Sequence, residues 1–544
     1  MDIFRTIRRA AFLLLPVLAA LLVLPACAPD APGGGMLHAV EDSGLPDEGD
    51  TYGATVLDWN GDELPDLLVS RHADRAVLYL NRGGLRFAAE PLPSGLPDRQ
   101  PDHHGSAGCD FDRDGDWDAF VGVGSDSGYG EGVNQIWVRT PAGWRLDARA
   151  GHDLPGDPVG RGRGAVWADL GGGPEPELLV FNYQSPPRLL SPTDQGWVDL
   201  GGWLPWAPPV PQDRPGGRIP GPRERARSPW IHNGATADLD GDGRCDLLAL
   251  GRPGWAGLLL NTGRGFAEAT ERSGLGPAVW PLVPHHAAAG DLDGDGDPDL
   301  VLCGPAAGLQ GAAAEGPPVL WINESVPGRP RFRPLPVPSA AGARAWASAL
   351  ADLDNDGVND LLLVQHPEAD GDRPLLILQG AAGAAFSDVT ALWGSPGEPG
   401  AAAESVIAAD FDLDGDLDLL LLAGGDYRTP VSRPAGLILA ENRTSGRGLT
   451  LELAATASPP HGLGAVVTLE GDPPQVVRQQ ATVHNVSSSI LPVHFGIGDR
   501  AGPFRVRVEW PAGSATVHEI PHAGAAFRLH EDRPEPEPIA GRSP

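Results

Sequence analysis

Nine-residue segments rich in aspartate recur along this chain. DWNGDELPD starts at Asp58, DFDRDGDWD at Asp110, DLDGDGRCD at Asp238, DLDGDGDPD at Asp291, DLDNDGVND at Asp352 and DFDLDGDLD at Asp410. A worn copy, DLGGGPEPE, starts at Asp169. Carboxylates at alternate positions of a tight turn suit a hard divalent cation, and Ca²⁺ takes six to eight oxygens. Turn chemistry alone does not require Asp at four fixed positions. A helix–loop–helix calcium site is excluded, because it needs a Glu at loop position 12. That position is Val69, Val121, Ala249, Leu302, Leu363 and Leu421 in the six intact copies.

The elements around the loops must be strands. By subtraction of their first positions the copies recur every 52 to 69 residues, a period of solenoids and propellers. An apolar run follows each loop at once: LLVS after Asp66, LLVF after Glu177 and LLLL after Asp418, for example. Such short continuous runs mark strands covered on both faces. Asn-x-Gly turns then punctuate a further hairpin, as in VLYLNRGGLRF and LLLNTGRGF. Before each loop the residues are mostly small: Gly53 and Ala54, Gly105 and Ser106, Gly164 and Ala165, Asn233 and Gly234, Ala347 and Ser348. A strand crowded around a central axis needs small side chains, so this strand is placed innermost. The expected fold is all-β: a seven-bladed β-propeller over residues 37–445, leaving no long open sheet edge.

The D-x-[DN]-x-D-G-x-x-D loop, with words such as FAEATERSGL and FSDVTAL between copies, resembles the FG-GAP/VCBS repeat of integrin α-subunit propellers. That resemblance implies a calcium site in each intact loop. Positions 1, 3, 5 and 9 give side-chain oxygens and position 7 a backbone carbonyl. The sets are Asp58, Asn60, Asp62, Leu64 and Asp66; Asp110, Asp112, Asp114, Asp116 and Asp118; Asp238, Asp240, Asp242, Arg244 and Asp246. They continue as Asp291, Asp293, Asp295, Asp297 and Asp299; Asp352, Asp354, Asp356, Val358 and Asp360; Asp410, Asp412, Asp414, Asp416 and Asp418. About six Ca²⁺ ions are expected. No tight site is expected at Asp169, where Gly171 and Gly173 replace ligands. Gly at position 6 permits the turn; Glu63 stands there in the first loop, so that turn is expected to differ.

The repeat stops after LILAENRTSGRG, and residues 446–530 alternate as a small β-domain. GLGAVVTL, HFGIG and VEWPAG resemble the ASPIC/UnbV module, which follows FG-GAP repeats in the cartilage acidic protein family and in bacterial exported proteins. The family's G-x-x-S-Q segment stands here as HNVSSS. The tail, 531–544, is expected to be disordered.

At the other end, Arg5, Arg8 and Arg9 precede an apolar run from Ala10 to Leu24, too short for a membrane span. Leu24-Pro25-Ala26-Cys27 resembles a bacterial lipobox, which implies a signal peptide over 1–26, lipidation of Cys27 and a linker over 27–36; ordinary cleavage at the A-x-A pattern Ala26-Cys27-Ala28 is the alternative. Export to the cell envelope, at the outer membrane or cell surface, follows from that resemblance. The three remaining cysteines, Cys109, Cys245 and Cys303, make no disulfide framework. A formal net charge of −32 argues against nucleic acid, which needs a basic footprint.

Two features could bind something else. Six residues before each loop stand Tyr52, His104, Arg163, His232, His285, Trp346 and Glu404. If the strand is innermost, they ring the channel mouth opposite the loops, either as a ligand or transition-metal site or as a solvated lining. An insertion before the fourth loop joins Trp197, Trp203 and Trp206 to Arg214, Arg218, Arg223, Arg225 and Arg227, residue types that suit interfaces. No nucleophile elbow, H-E-x-x-H or P-loop occurs. The sequence therefore points to a non-enzymatic calcium-stiffened platform for protein or glycan contact. A propeller lyase or hydrolase and a purely structural envelope lipoprotein are the alternatives.

Overall fold

The computed structural model describes residues 36–539, apart from 48, 50, 73, 91–101, 125–133, 142, 148–161, 183–186, 206–229, 253–254, 276–284, 305–317, 366–371, 402, 424–434 and 445. The leader, Cys27 and the Arg-rich insertion with Trp206 lie outside the described residues.

The chain is almost entirely β. Seven sheets follow one another among the described residues, one per loop; each has four antiparallel strands, and the second is extended to six by a C-terminal hairpin that joins it in parallel. Their first strands are Thr51–Leu57, His103–Cys109, Gly162–Ala168, Trp230–Ala237, His286–Gly290, Ala345–Ala351 and Ser405–Ala409. Each first strand packs beside the next, and Thr51–Leu57 also touches the last sheet, so the succession closes in a propeller-like ring. Closure uses the start of the chain: Leu37–Ala39 pairs antiparallel with Leu437–Asn442 as the outer strand of the seventh sheet. The apolar runs are the second strands. Asp118–Val123 and Glu177–Asn182 are buried at every residue, because each sheet is covered on both faces.

The C-terminal strands form two further sheets around a core of Leu449, Leu451, Val467, Phe495, Val506, Val508 and Phe527. One hairpin of this domain leaves it. Thr482–His484 pairs with Ser487–Ser489, and this hairpin enters the axis of the ring. Ser487 Oγ accepts from the Ser106 amide at 3.1 Å, Ser489 Oγ from the Val56 amide at 2.9 Å, and Ser488 Oγ donates to the Ala165 carbonyl at 2.8 Å. Asn233 donates to the Asn485 carbonyl at 2.8 Å, and His286 Nε2 lies 3.2 Å from the Val483 carbonyl. A Cβ on Gly105 or Gly164 would collide with the Val486 carbonyl oxygen. The first strands are innermost, as expected, but their small residues do more than crowd an axis. They make room for the segment HNVSSS, so the axis is filled by protein rather than forming a solvated channel.

The tail also differs from expectation. Glu537–Pro538 pairs with Ala525–His530, Ile539 is buried, and the Glu531 carboxylate accepts from the amides of Thr456, Ala457 and Ser458. These contacts outweigh the Pro- and Glu-rich composition through residue 539.

Candidate metal centres

Each intact loop is built so that backbone amides hold its carboxylates. In the first, Asp58 Oδ1 accepts from Gly61 at 2.8 Å and Asp62 at 3.1 Å, while Oδ2 accepts from Glu63 at 2.8 Å. The bonds from the fifth- and sixth-position amides recur at Asp238, Asp352 and Asp410. Such turns need left-handed backbone at two positions, not one. Position 6 is left-handed in all six intact loops, and Glu63 adopts φ 72° like the glycines elsewhere, so that turn does not differ. Position 4 is left-handed as well: Gly61, Arg113, Gly172, Gly241, Gly294, Asn355 and Leu413. The sequence hides this, because three of those residues are not glycine.

The ninth-position aspartate holds strands together. Asp246 Oδ2 accepts from the Leu239 amide at 2.9 Å and Oδ1 from the Asn261 amide at 2.7 Å. Asp66, Asp299, Asp360 and Asp418 repeat the pair of bonds, and all are buried. Burial pushes Asp66 and Asp246 up to about 8 and Asp118 to about 9, with neighbouring loop carboxylates adding to the rise against the amides.

The third position shows what the loops lack. One buried carboxylate oxygen on each of Asp240, Asp293 and Asp412 has no hydrogen-bond partner among the described residues. Asp110, Asp112 and Asp118 bring their oxygens within 4.8 Å of one another, as do Asp238, Asp240 and Asp246, and the sets at Asp291 and Asp352. A buried acceptor without a donor is costly unless a cation meets it. The donor set, all hard oxygen, fits Ca²⁺. The worn loop is different. Glu177 Oε2 accepts from Leu170 and Gly171, both at 2.9 Å, and a Cβ on Gly171 would lie 2.5 Å from Glu177 Oε1. The longer acid fills the space a third-position ligand would use.

The C-terminal domain sits on these loops. Arg478 pairs with Asp238 at 3.0 Å, Thr450 Oγ1 donates to Asp410 at 2.8 Å, and His494 Nε2 lies 2.7 Å from Asn355 Oδ1. His461 stacks on Trp117 at 3.6 Å and accepts from the Asp110 amide. Between ring and domain lies a cavity of about 1090 Å³, lined by Asp58, Asp110, Asp238, Asp291, Asp352 and Asp410, the first ligand of every intact loop.

On the opposite side, the seven residues expected to ring the mouth form two groups instead. Tyr52, His104 and Arg163 stand together, and His285 stacks on Trp346 at 3.7 Å with His232 at 5.4 Å. Glu404 is fully buried. His104, His232 and Trp346 are buried too, which corrects the solvated-lining expectation. Tyr52, His104, Arg163, His232 and Trp346 each fall at a register shift in their strand, where a bulge re-aims the side chain. Sequence reasoning missed two members of the first group, His72 and Asp102, because neither occupies a repeat position. Trp197 proves to be core: it is buried, packs on Phe111 and Trp167, and donates to Asp147 at 3.0 Å.

The FG-GAP-like repeat family matches residues 58–121, 238–302 and 352–421, and the ASPIC and UnbV family matches 455–536. The chain is thus a protein of FG-GAP-like repeats followed by an ASPIC/UnbV domain. No curated protein matches it. Solved structures similar to it include BBS1N in complex with ARL6DN, at 10% identity and TM-score 0.38, covering 75% of this chain and 96% of that one. Rhamnogalacturonan lyase YesW is another, at 14% identity and TM-score 0.33, covering 75% and 76%. At these values neither likeness bears on function.

Proposed function

We propose that this is a calcium-binding, non-catalytic platform, exported and held at the cell envelope through Cys27, that presents its surface to a protein or glycan. The observation that carries the calcium reading is the set of buried, partnerless oxygens on Asp240, Asp293 and Asp412, amid carboxylates already held by amides. Ca²⁺ would supply the missing positive charge at positions 1, 3, 5 and 9 of six loops, joining the first two strands of each sheet. Because the C-terminal domain touches Asp238, Asp410 and the Asp352 loop, the same ions would firm its seat. Binding only the folded state adds stability.

Calorimetric titration of chelator-stripped protein tests this. About six Ca²⁺ per chain are expected, and two or fewer would sink the reading. Glycan arrays and pull-downs with and without chelator test the platform role, and turnover of a polysaccharide would replace it with an enzyme. Mass spectrometry of the mature N-terminus, beside a Cys27→Ala variant, tests the anchor.

A further inference from the structure

We propose that the protein carries a second kind of metal site, for a divalent transition-metal ion, formed by His72, Asp102 and His104 on the side of the ring opposite the aspartate loops. His72 directly follows the second strand of the first sheet, Asp66–Arg71. Asp102 and His104 lie at the start of the next sheet's first strand, His103–Cys109. Both strands run away from, or toward, a loop at their other end. A strand of six or seven residues, on the order of 20 Å, therefore separates this group from the loops.

The donor geometry is convergent. His104 Nε2 lies 2.8 Å from Asp102 Oδ1 and His72 Nε2 lies 3.9 Å from the same oxygen. One donor atom from each residue falls within 4.8 Å of the others. The surroundings hold that arrangement. Tyr52 stacks on both rings, at 5.6 Å from His72 and 5.1 Å from His104, and the two imidazoles stack on each other at 5.2 Å. The Asp102 carbonyl accepts from the Gly124 amide at 2.7 Å, and a side chain at Gly124 would strike Asp102 and His104.

Two imidazoles and one carboxylate form the donor set that borderline metals prefer over calcium, and it leaves further positions open. The loops offer only oxygen, so the two kinds of site select different ions. Arg163 competes for His104: its Nη1 contacts both ring nitrogens, Nε2 at 2.9 Å, and its guanidinium carbon lies 5.9 Å from the Tyr52 ring centre. Its charge opposes a cation at His104, and the Tyr52 face is where it can move.

The test uses the full chain saturated with Ca²⁺, so that the loops are filled, and then titrated with Zn²⁺ or Co²⁺. One further equivalent binds, and Co²⁺ gives the visible absorption of nitrogen ligation. His72→Ala, a partly exposed change, weakens Zn²⁺ about 100-fold or more. Asp102→Asn does likewise, and Arg163→Ala tightens binding. Calcium stoichiometry stays unchanged in all three. Failure to take up Zn²⁺ under calcium, or uptake unmoved by His72→Ala, leaves the cluster a hydrogen-bonded network and overturns the proposal.

Discussion

The aspartates of one loop have different duties. Asp246 directs both oxygens to backbone amides, one in its own loop and one at Asn261 on the third strand. Asp240 keeps a buried oxygen without a partner. Replacing Asp246 by Asn turns one accepting oxygen into an amide NH2 facing an N–H, which costs about 2 kcal/mol even in chelator, and loss of a calcium ligand adds to that when calcium is present. Asp240→Asn instead weakens calcium and shifts the chelated protein by less than about 0.5 kcal/mol. Urea unfolding with and without chelator separates the two, and equal losses in chelator would contradict the division. The carboxylates were legible in the sequence because all sit at fixed positions. Their division of labour was not, since it depends on a third-strand amide 15 residues later. A lone acid outside the repeat shows the same principle. Burial pushes Glu531 up, but the amides of Ser458, Thr456 and Ala457 and the Ser458 hydroxyl outweigh it and hold it down at about 2. Its ordinary value is 4.5, so the native state binds fewer protons between those limits. Its contribution, about 2 kcal/mol, is complete above pH 4.5 and disappears as pH falls through 2. The stability gap between wild type and Glu531→Gln follows that window in acid titrations.

At the scale of elements, strain falls where the C-terminal domain docks. Four loop residues hold left-handed backbone without being glycine: Glu63, Arg113, Asn355 and Leu413. This conformation costs roughly 1–2 kcal/mol each. Every one of them reaches the docked domain. Glu63 pairs with Arg528, Arg113 donates to the Thr456 and Ser458 carbonyls, Asn355 meets His494, and Leu413 packs with Ala526 and Ile539. Loops with glycine at both positions make fewer such contacts: the fifth makes none of these, and the fourth reaches the domain through Arg478. The axial hairpin depends on glycine in the opposite sense, through absence of a side chain. Gly105→Ala forces a methyl into the Val486 carbonyl and destabilises the protein by about 3 kcal/mol. Protease cleavage within 482–489 rises with it, while Gly342→Ala, whose Cβ would meet nothing on ordinary backbone, leaves that cleavage unchanged. Equal cleavage in both variants would deny the hairpin its dependence on that gap. The repeat made the sheets legible. It could not disclose the hairpin, because the strands that admit it and the segment that fills them are hundreds of residues apart and share no pattern.

Across the whole molecule, charge and architecture meet at one face. Under the proposed occupancy, six divalent ions would contribute twelve positive charges and take the formal −32 to −20. The first ligands of all six loops line the cavity beneath the C-terminal domain, so relief of repulsion there is shared by ring and domain. Chelation should therefore act beyond the loops. Hydrogen exchange at Thr482–Ser489, which holds no loop ligand, becomes faster in chelator, because the contacts at Asp238 and Asp410 that seat its domain loosen. Protection confined to the loops themselves would show that ring and domain are energetically separate.

Both ends of the chain finish the same object. Leu37–Ala39 waits at the rim for a partner strand, Leu437–Asn442, made about 400 residues later, and the axis waits longer still, for Thr482–Ser489. Neither the closed rim nor the filled axis can therefore form until its distant segment is present. A chain without its C-terminal domain lacks the serines that meet the Val56, Ser106 and Ala165 backbone at the axis.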